Sequence, residues 1–205
     1  MNPVTSISKP RVRRTAAETR EHVLQVAHEL FYWQGIGATG VDQLAAEAGV
    51  SPTTLYRLFA SKDDLVAAYV ERAGRLYREW FTSSMEAAGP HPRERILALF
   101  DALAERVQPD RSRGCPFLMG LAELPDPTLA AHRHAVATKA WVRARFGELT
   151  DELAQTTAVS DPIALADQLT LVFEGVNASV QALGADGPAR RARTLAETLL
   201  ATAGR

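Results

Sequence analysis

One cysteine, Cys115, stands in a chain of 205 residues. No disulfide can therefore form within the chain, and a reducing compartment, the cytoplasm, is the expected setting. No run of about eighteen apolar residues is present, which argues against a membrane span. The opening MNPVTSISKPRVRR has no apolar segment of the kind a secretory signal needs. A glycine-rich phosphate loop and a GxSxG nucleophile turn are both missing. Histidines are few and badly spaced for zinc: His132 and His134 would point to opposite sides of a helix, and His22 and His28 do not share a face. No metal, cofactor or catalytic group is expected. Nor does one sign of charge dominate, with 23 Lys and Arg against 24 Asp and Glu. Any nucleic-acid partner must be inferred from where the charge lies, not from its total.

Strand-like alternation is rare as well, whereas Ala, Leu, Glu and Arg abound; the chain reads as all-α with about nine helices. Apolar residues make up 46% and charged residues 23%, enough for a packed core. Residues 1–14, with KPRVRR at 9–14, read as a flexible basic arm. A first helix is predicted over 16–34, with Thr15 as N-cap, Glu18 as its capping-box partner and Gly35 as the stop. A second helix follows Thr39, boxed by Asp42, and stops at Gly49. A third, short one starts at Ser51-Pro52. A fourth starts after Ser61 and runs to about Ala88. GPHP at 89–92 is the clearest break. Beyond it the pattern predicts helices over about 92–107, a short one after Cys115, then about 128–156, 162–183 and 188–203. The division is an arm at 1–14, a three-helix unit at 15–61, a connecting helix at 62–88 and a C-terminal unit at 89–205.

The run GVSPTTLYRLF at 49–59 carries the functional signal. Leu44, Ala48, Val50, Leu55 and Leu58 are apolar where two crossed helices share a core, and Ala45 is small where they cross. That is the pattern of a helix-turn-helix. Ser51 can cap free backbone N–H groups, and Pro52 fits a first helical position, where its missing N–H costs nothing. At about 100° per residue, Leu55, Leu58 and Phe59 fall on one side and Thr53 and Arg57 on the other. Thr54 and Tyr56 flank them. A two-turn helix so armed suits a DNA major groove. Arg57 can fork onto guanine, and Thr53 can meet a thymine methyl or a base edge. Tyr56 and Thr54 are placed for phosphates. Thr39 and Lys62, at predicted helix starts, are candidate phosphate clamps. Arg13 and Arg14, with Arg11, add charge or enter a minor groove. Short helix pairs crossing at a glycine also occur in enzymes, where exposed Thr and Arg are merely solvated.

Residues 19–70 closely resemble the N-terminal domain of TetR/AcrR-family transcriptional regulators, through the LF…G end of the first helix, ATGVDQLAAEAGVS and TLYRLFASKDDL. The resemblance implies an all-helical homodimer in which a larger domain binds a small effector. It also implies phosphate contacts at Tyr56 and Lys62, and base readers within 51–57. At Pro52, where many relatives have Lys, Arg, Pro or another polar residue, a cationic phosphate contact is absent.

The C-terminal half is less informative. Trp80, Phe81, Phe100, Phe117, Trp141, Phe146 and Phe173 either line an apolar effector pocket or fill the core, and Met119 and Glu123 are further pocket candidates. Cys115, before Pro116 at a helix start, is either a reactive thiol or a small buried hydrophobe. In the last two helices, Ile163, Leu165, Leu169, Val172, Val176 and Val180 alternate with Gly175, Ala178 and Ala182. With Leu195, Leu199 and Leu200 they form the expected dimer surface, shared with packing inside the chain. The function expected is a dimeric, effector-responsive regulator of operator DNA, a repressor released by its ligand, acting away from membranes. The alternatives are a small-molecule enzyme that keeps a helix-turn-helix as scaffold, and a sequence-indifferent architectural binder, which would need a more extended basic surface.

Overall fold

The computed structural model describes residues 14–108, 112–184 and 186–204. Among these, nine α-helices and one 3-10 turn occur, and no strand. They are α1 (Ala16–Gln34), α2 (Val41–Glu47), α3 (Pro52–Leu58), α4 (Lys62–Glu86), α5 (Pro92–Arg106), α6 (Pro116–Glu123), α7 (Ala130–Ala154), α8 (Pro162–Leu183) and α9 (Ala192–Thr202), with the 3-10 turn at Pro188–Arg191 before α9. The all-α expectation holds.

Local chemistry sets most of these ends. Thr15 caps α1: its hydroxyl accepts from the Glu18 N–H, and the Glu18 carboxylate accepts from the Thr15 N–H at 2.7 Å. The Glu18 carboxyl is consequently held below its ordinary range, chiefly by the bond from the Thr15 backbone. Ser51 accepts from the Thr54 N–H at 3.1 Å and Pro52 follows at the first helical position. Ser61 and Asp161 cap α4 and α8 in the same way. Between α2 and α3 the chain turns at Gly49, whose φ is +64°. The Val50 N–H donates to the Ala45 carbonyl and the Gly49 N–H to that of Ala46. This is the Schellman closure, which needs a left-handed residue and so favours glycine.

One predicted cap is wrong. The N-cap of α2 is Gly40, not Thr39. Thr39 is 1% exposed, and its hydroxyl donates to the Gly35 carbonyl at 2.8 Å. The chain must double back after α1, and that hydroxyl satisfies a carbonyl left over at the helix end. Thr39 thus closes the end of α1 and does not cap α2.

Helices α1, α2 and α3 pack around Val23, Ala27, Phe31, Leu44, Ala45, Leu55 and Phe59, all buried. Helix α4 leaves this unit and enters the larger one, where it packs on α5 and α7. There Phe81, Phe100, Phe146 and Phe173 form a closed aromatic cluster: Phe81 lies edge-on to Phe146 at 5.9 Å and to Phe173 at 5.8 Å between ring centres. Phe100 meets Phe173 edge-on at 5.5 Å. All four rings are buried. Phe100 and Phe173, read as possible pocket residues, are core. Edge-to-face contact of this kind adds to the area each ring buries.

No helix among the described residues is long and apolar enough to cross a membrane.

Candidate nucleic-acid interface and effector cavity

On α3, burial of Leu55 and Phe59 and partial burial of Leu58 fix the helix against α1 and α2. The Arg20 guanidinium lies over the Phe59 ring at 4.9 Å, and His22 Nε2 bonds the Ala48 carbonyl at 3.1 Å, tying α1 to both partners. Thr53, Tyr56 and Arg57 are left facing solvent, with Tyr56 52% exposed. Thr54 is half-buried and its hydroxyl pairs with that of Ser51 at 2.9 Å. Lys62, at the first position of α4, shares a shallow depression with Tyr56 and Ser61. Tyr56 and Lys62 therefore stand together at the α3–α4 junction. Arg14 is exposed just before α1, and Arg13 lies outside the described residues.

A cavity of about 360 Å³ opens at the seam between the two units. Gln25, His28, Glu29 and Tyr32 line it from α1, Arg72, Leu76 and Tyr77 from α4, and Leu103 and Arg106 from α5. Ser112, Gly114, Cys115 and Phe117 close it from the segment that leads into α6, and Asn177 from α8. Of the predicted pocket residues only Phe117 is on this wall. Trp80 sits beneath the Arg106 guanidinium at 4.7 Å, beside Tyr77. Trp141 stacks edge-on to Phe81 and is flanked by Arg78 and Arg145. Met119 is half-buried on α6, away from the cavity. Glu123 has a different partner: its carboxylate accepts from the Gly37 N–H at 2.8 Å. It holds the turn after α1 and does not line this cavity. Cys115 is buried and forms part of the cavity wall.

Tyr32 is the hub of this seam. Its hydroxyl accepts from the Arg113 N–H at 2.6 Å and donates to the Gly114 carbonyl at 2.9 Å. The Arg113 guanidinium returns to the Tyr32 and Trp33 carbonyls at 3.0 and 2.9 Å. These carbonyls end α1, where the helix dipole favours a cation. Gly114 has φ +129°, a backbone conformation that side chains rarely adopt, so the turn that meets Tyr32 favours glycine. Sequence reasoning missed Tyr32, although Gln25, Glu29 and Tyr32 recur at helical spacing as a polar stripe on α1. Substituting Glu123→Ala is expected to free the Gly37 amide. Hydrogen exchange of the 35–40 turn should quicken by about tenfold with the core helices unchanged; unaltered exchange there would remove Glu123 from this role.

Burial pushes the Tyr77 phenol well above its ordinary pKa, with the like charge of Glu174 adding to it. The Tyr77 hydroxyl is buried without a hydrogen-bond partner. His28 is held low, chiefly by burial, and is neutral near pH 7; its ring stacks on Tyr32 at 5.6 Å. Among the described residues no group of three or more His, Cys, Asp or Glu side chains is placed to hold a metal ion.

Residues 23–69 match the family model described as bacterial regulatory proteins, tetR family, and residues 92–196 match that of the tetracyclin repressor-like C-terminal domain. The HTH-type transcriptional regulator YjdC of Escherichia coli is 28% identical over 181 residues, spanning 88% of this chain and 93% of its own. A TetR-family transcriptional regulator from Streptomyces coelicolor superposes with a TM-score of 0.83 at 28% identity, over 92% of this chain and 97% of that one. A putative TetR transcriptional regulator from Streptomyces avermitilis is 34% identical, with a TM-score of 0.76 over 90% of this chain and 97% of that one. A helix-turn-helix built on Gly49 and Ser51, rooted through α4 in a helical domain that matches the second family model, places the chain in the TetR family of bacterial DNA-binding transcriptional regulators.

Proposed function

We propose that this regulator reads a two-fold operator as a homodimer and leaves it when a small molecule occupies the seam cavity. The DNA half rests on one observation: α3 is pinned by Leu55 and Phe59 while Thr53, Tyr56 and Arg57 stay in solvent. In this reading Arg57 forks onto guanine O6 and N7, and Thr53 meets a neighbouring base edge. Lys62 and Arg14 neutralise phosphates and the Tyr56 hydroxyl donates to one, while Ser51 and Thr54 hold the helix start close to the backbone. The 15–61 unit binds DNA, α4 connects, and the remainder holds effector and partner. Arg57→Ala is expected to lower the preference for upstream DNA of its own gene over random DNA by about tenfold or more, since one bidentate base contact is worth about 1–3 kcal/mol. A gel shift in which the variant treats both DNAs as the parent does would end the recognition-helix assignment.

The dimer half rests on the outward faces of α8 and α9. Leu165, Leu169, Val176, Val180 and Leu200 are buried within the chain, whereas Ile163, Leu171, Leu183 and Leu195 are exposed. Gly175, Ala178 and Ala182 are exposed beside them, small enough for a close helix approach. Large apolar residues left exposed, as at Leu171 beside Gly175, Ala178 and Ala182, favour burial by a partner. The effector half rests on the cavity's place: it touches α1, α4 and the Tyr32 latch together. A ligand that fits one arrangement of that seam better than another changes the spacing of the two recognition helices, which is all that coupling requires. Nothing in the comparison with relatives supports the enzyme alternative.

A further inference from the structure

We propose that the seam cavity recognises a primary amide or a lactam, a group with a hydrogen-bond acceptor and a donor on one edge, through the Asn177 side chain on its floor. The proposal rests on the reading of this cavity as the effector site and names the chemical group that the site selects.

Four polar side chains are buried among the described residues: Thr39, Thr138, Thr150 and Asn177. Backbone close in sequence satisfies the three threonines. Their hydroxyls donate to the carbonyls of Gly35, His134 and Gly147 at 2.8, 3.0 and 3.0 Å. Asn177 is the exception. It stands on the buried stripe of α8 with Phe173, Val176 and Val180 and is 8% exposed. Its side-chain amide makes no hydrogen bond to a described residue, yet its polar atoms keep some accessible surface. The Tyr77 hydroxyl and Glu174 Oε1, by contrast, are sealed. Because Asn177 lines the cavity, the open part of its amide faces that space. An amide left unpaired in an apolar stripe is costly, and a partner from the cavity removes the cost.

The rest of the floor is apolar. Leu103, Val107, Cys115 and Phe117 line it, each 5% exposed or less. The stacked His28 and Tyr32 rings stand on the α1 side. A flat hydrocarbon body suits such walls, and a cavity of about 360 Å³ holds two fused rings. On this floor Asn177 fixes the orientation, because its amide presents an acceptor oxygen beside donor hydrogens. A primary amide or a lactam meets both at once, edge to edge. A ketone meets only the donor. A carboxylate also meets only the donor and must shed its water.

The charged side chains stand elsewhere. Glu29 and Arg106 are exposed at the mouth, with opposite signs, and neither has an ion-pair partner among the described residues. Arg106 rests over the Trp80 ring at 4.7 Å. They leave the outer end of the ligand open to either charge, while Asn177 chooses the inner end.

Three probes of one shape test this: 2-naphthamide, 2-acetonaphthone and 2-naphthoate, each titrated calorimetrically into the full chain. The amide should bind about fivefold tighter than the ketone, the margin of one further neutral hydrogen bond. In Asn177→Leu, close in volume, the amide should weaken by about tenfold and that margin should vanish. Asn177→Ala should show the same loss if the melting curve reports that leucine disturbs α8. Equal binding of amide and ketone by the parent, or a margin that survives the substitutions, would overturn the assignment to Asn177. An amide that does not bind would overturn the class. Naphthoate that binds as tightly as the amide, and weakens in Arg106→Ala but not in Asn177→Leu, would place recognition at the mouth and overturn the proposal. An amide that binds as described yet leaves operator affinity unchanged would uphold the class and defeat the effector reading.

Discussion

Replacing Phe81 with alanine is expected to destabilise the protein by about 3–5 kcal/mol, the usual cost of emptying a buried phenylalanine site. Phe81 is 0% exposed and lies on α4, with Trp141 at 5.3 Å and both Phe146 and Phe173 within 6 Å between ring centres. Its neighbours come from α7 and α8, and Phe100 of α5 backs the cluster. Four helices would lose a shared contact, and rigid rings held edge-on cannot collapse into the void. Against a whole-domain stability of about 5–15 kcal/mol, that is a large fraction. The melting temperature should fall by about 10 °C, given about 2–4 °C per kcal/mol at this chain length. Urea denaturation should show an earlier midpoint with an unchanged slope. A loss below about 1 kcal/mol would mean that the cluster is looser than its geometry implies.

A charge at Leu171 should leave the fold intact and remove most of the operator binding. Leu171 is 73% exposed in the single chain, so Leu171→Asp disturbs little within it. Across a helical dimer face, the same carboxylate would be buried without a partner. Sedimentation should report a monomer, and operator affinity should fall by about 10²–10⁴, the gain ordinarily provided by linking two half-site contacts. The melting curve of the dilute chain should barely move. A variant that remains dimeric and binds its operator as the parent does would place the interface elsewhere on the surface.

Much of the fold was legible because helix ends are written in local chemistry. Thr15 with Glu18, Ser51 with Pro52, and Gly49 each act within five residues, and each end falls where that chemistry places it. Thr39 was misread for the same reason. Its spacing to Asp42 mimics a capping box, but the bond that decides its role runs backward to Gly35. The aromatic residues show a second limit. Helical spacing says that Phe100 and Phe173 point inward, and it does not say whether a ring or a void awaits them. The seam shows a third. Tyr32 and Gly114 are 82 residues apart, and no periodicity within either segment announces the other. Glu123 was noticed as an acceptor, and its donor turned out to be a backbone amide on the far side of the seam.

The placement of α1 has a consequence for anyone recombining such regulators. One side of this helix, through Val23, Ala27 and Phe31, carries the core that seats the recognition helix. Another side, through Gln25, His28 and Tyr32, is cavity wall. A hybrid joined near residue 61 would exchange the recognition-helix headpiece and carry off part of the seam cavity's wall with it. Under the proposed effector reading, ligand response and operator choice are inherited together, and a graft meant to keep the response keeps the cavity-facing stripe of α1 along with Arg113 and Gly114 opposite it.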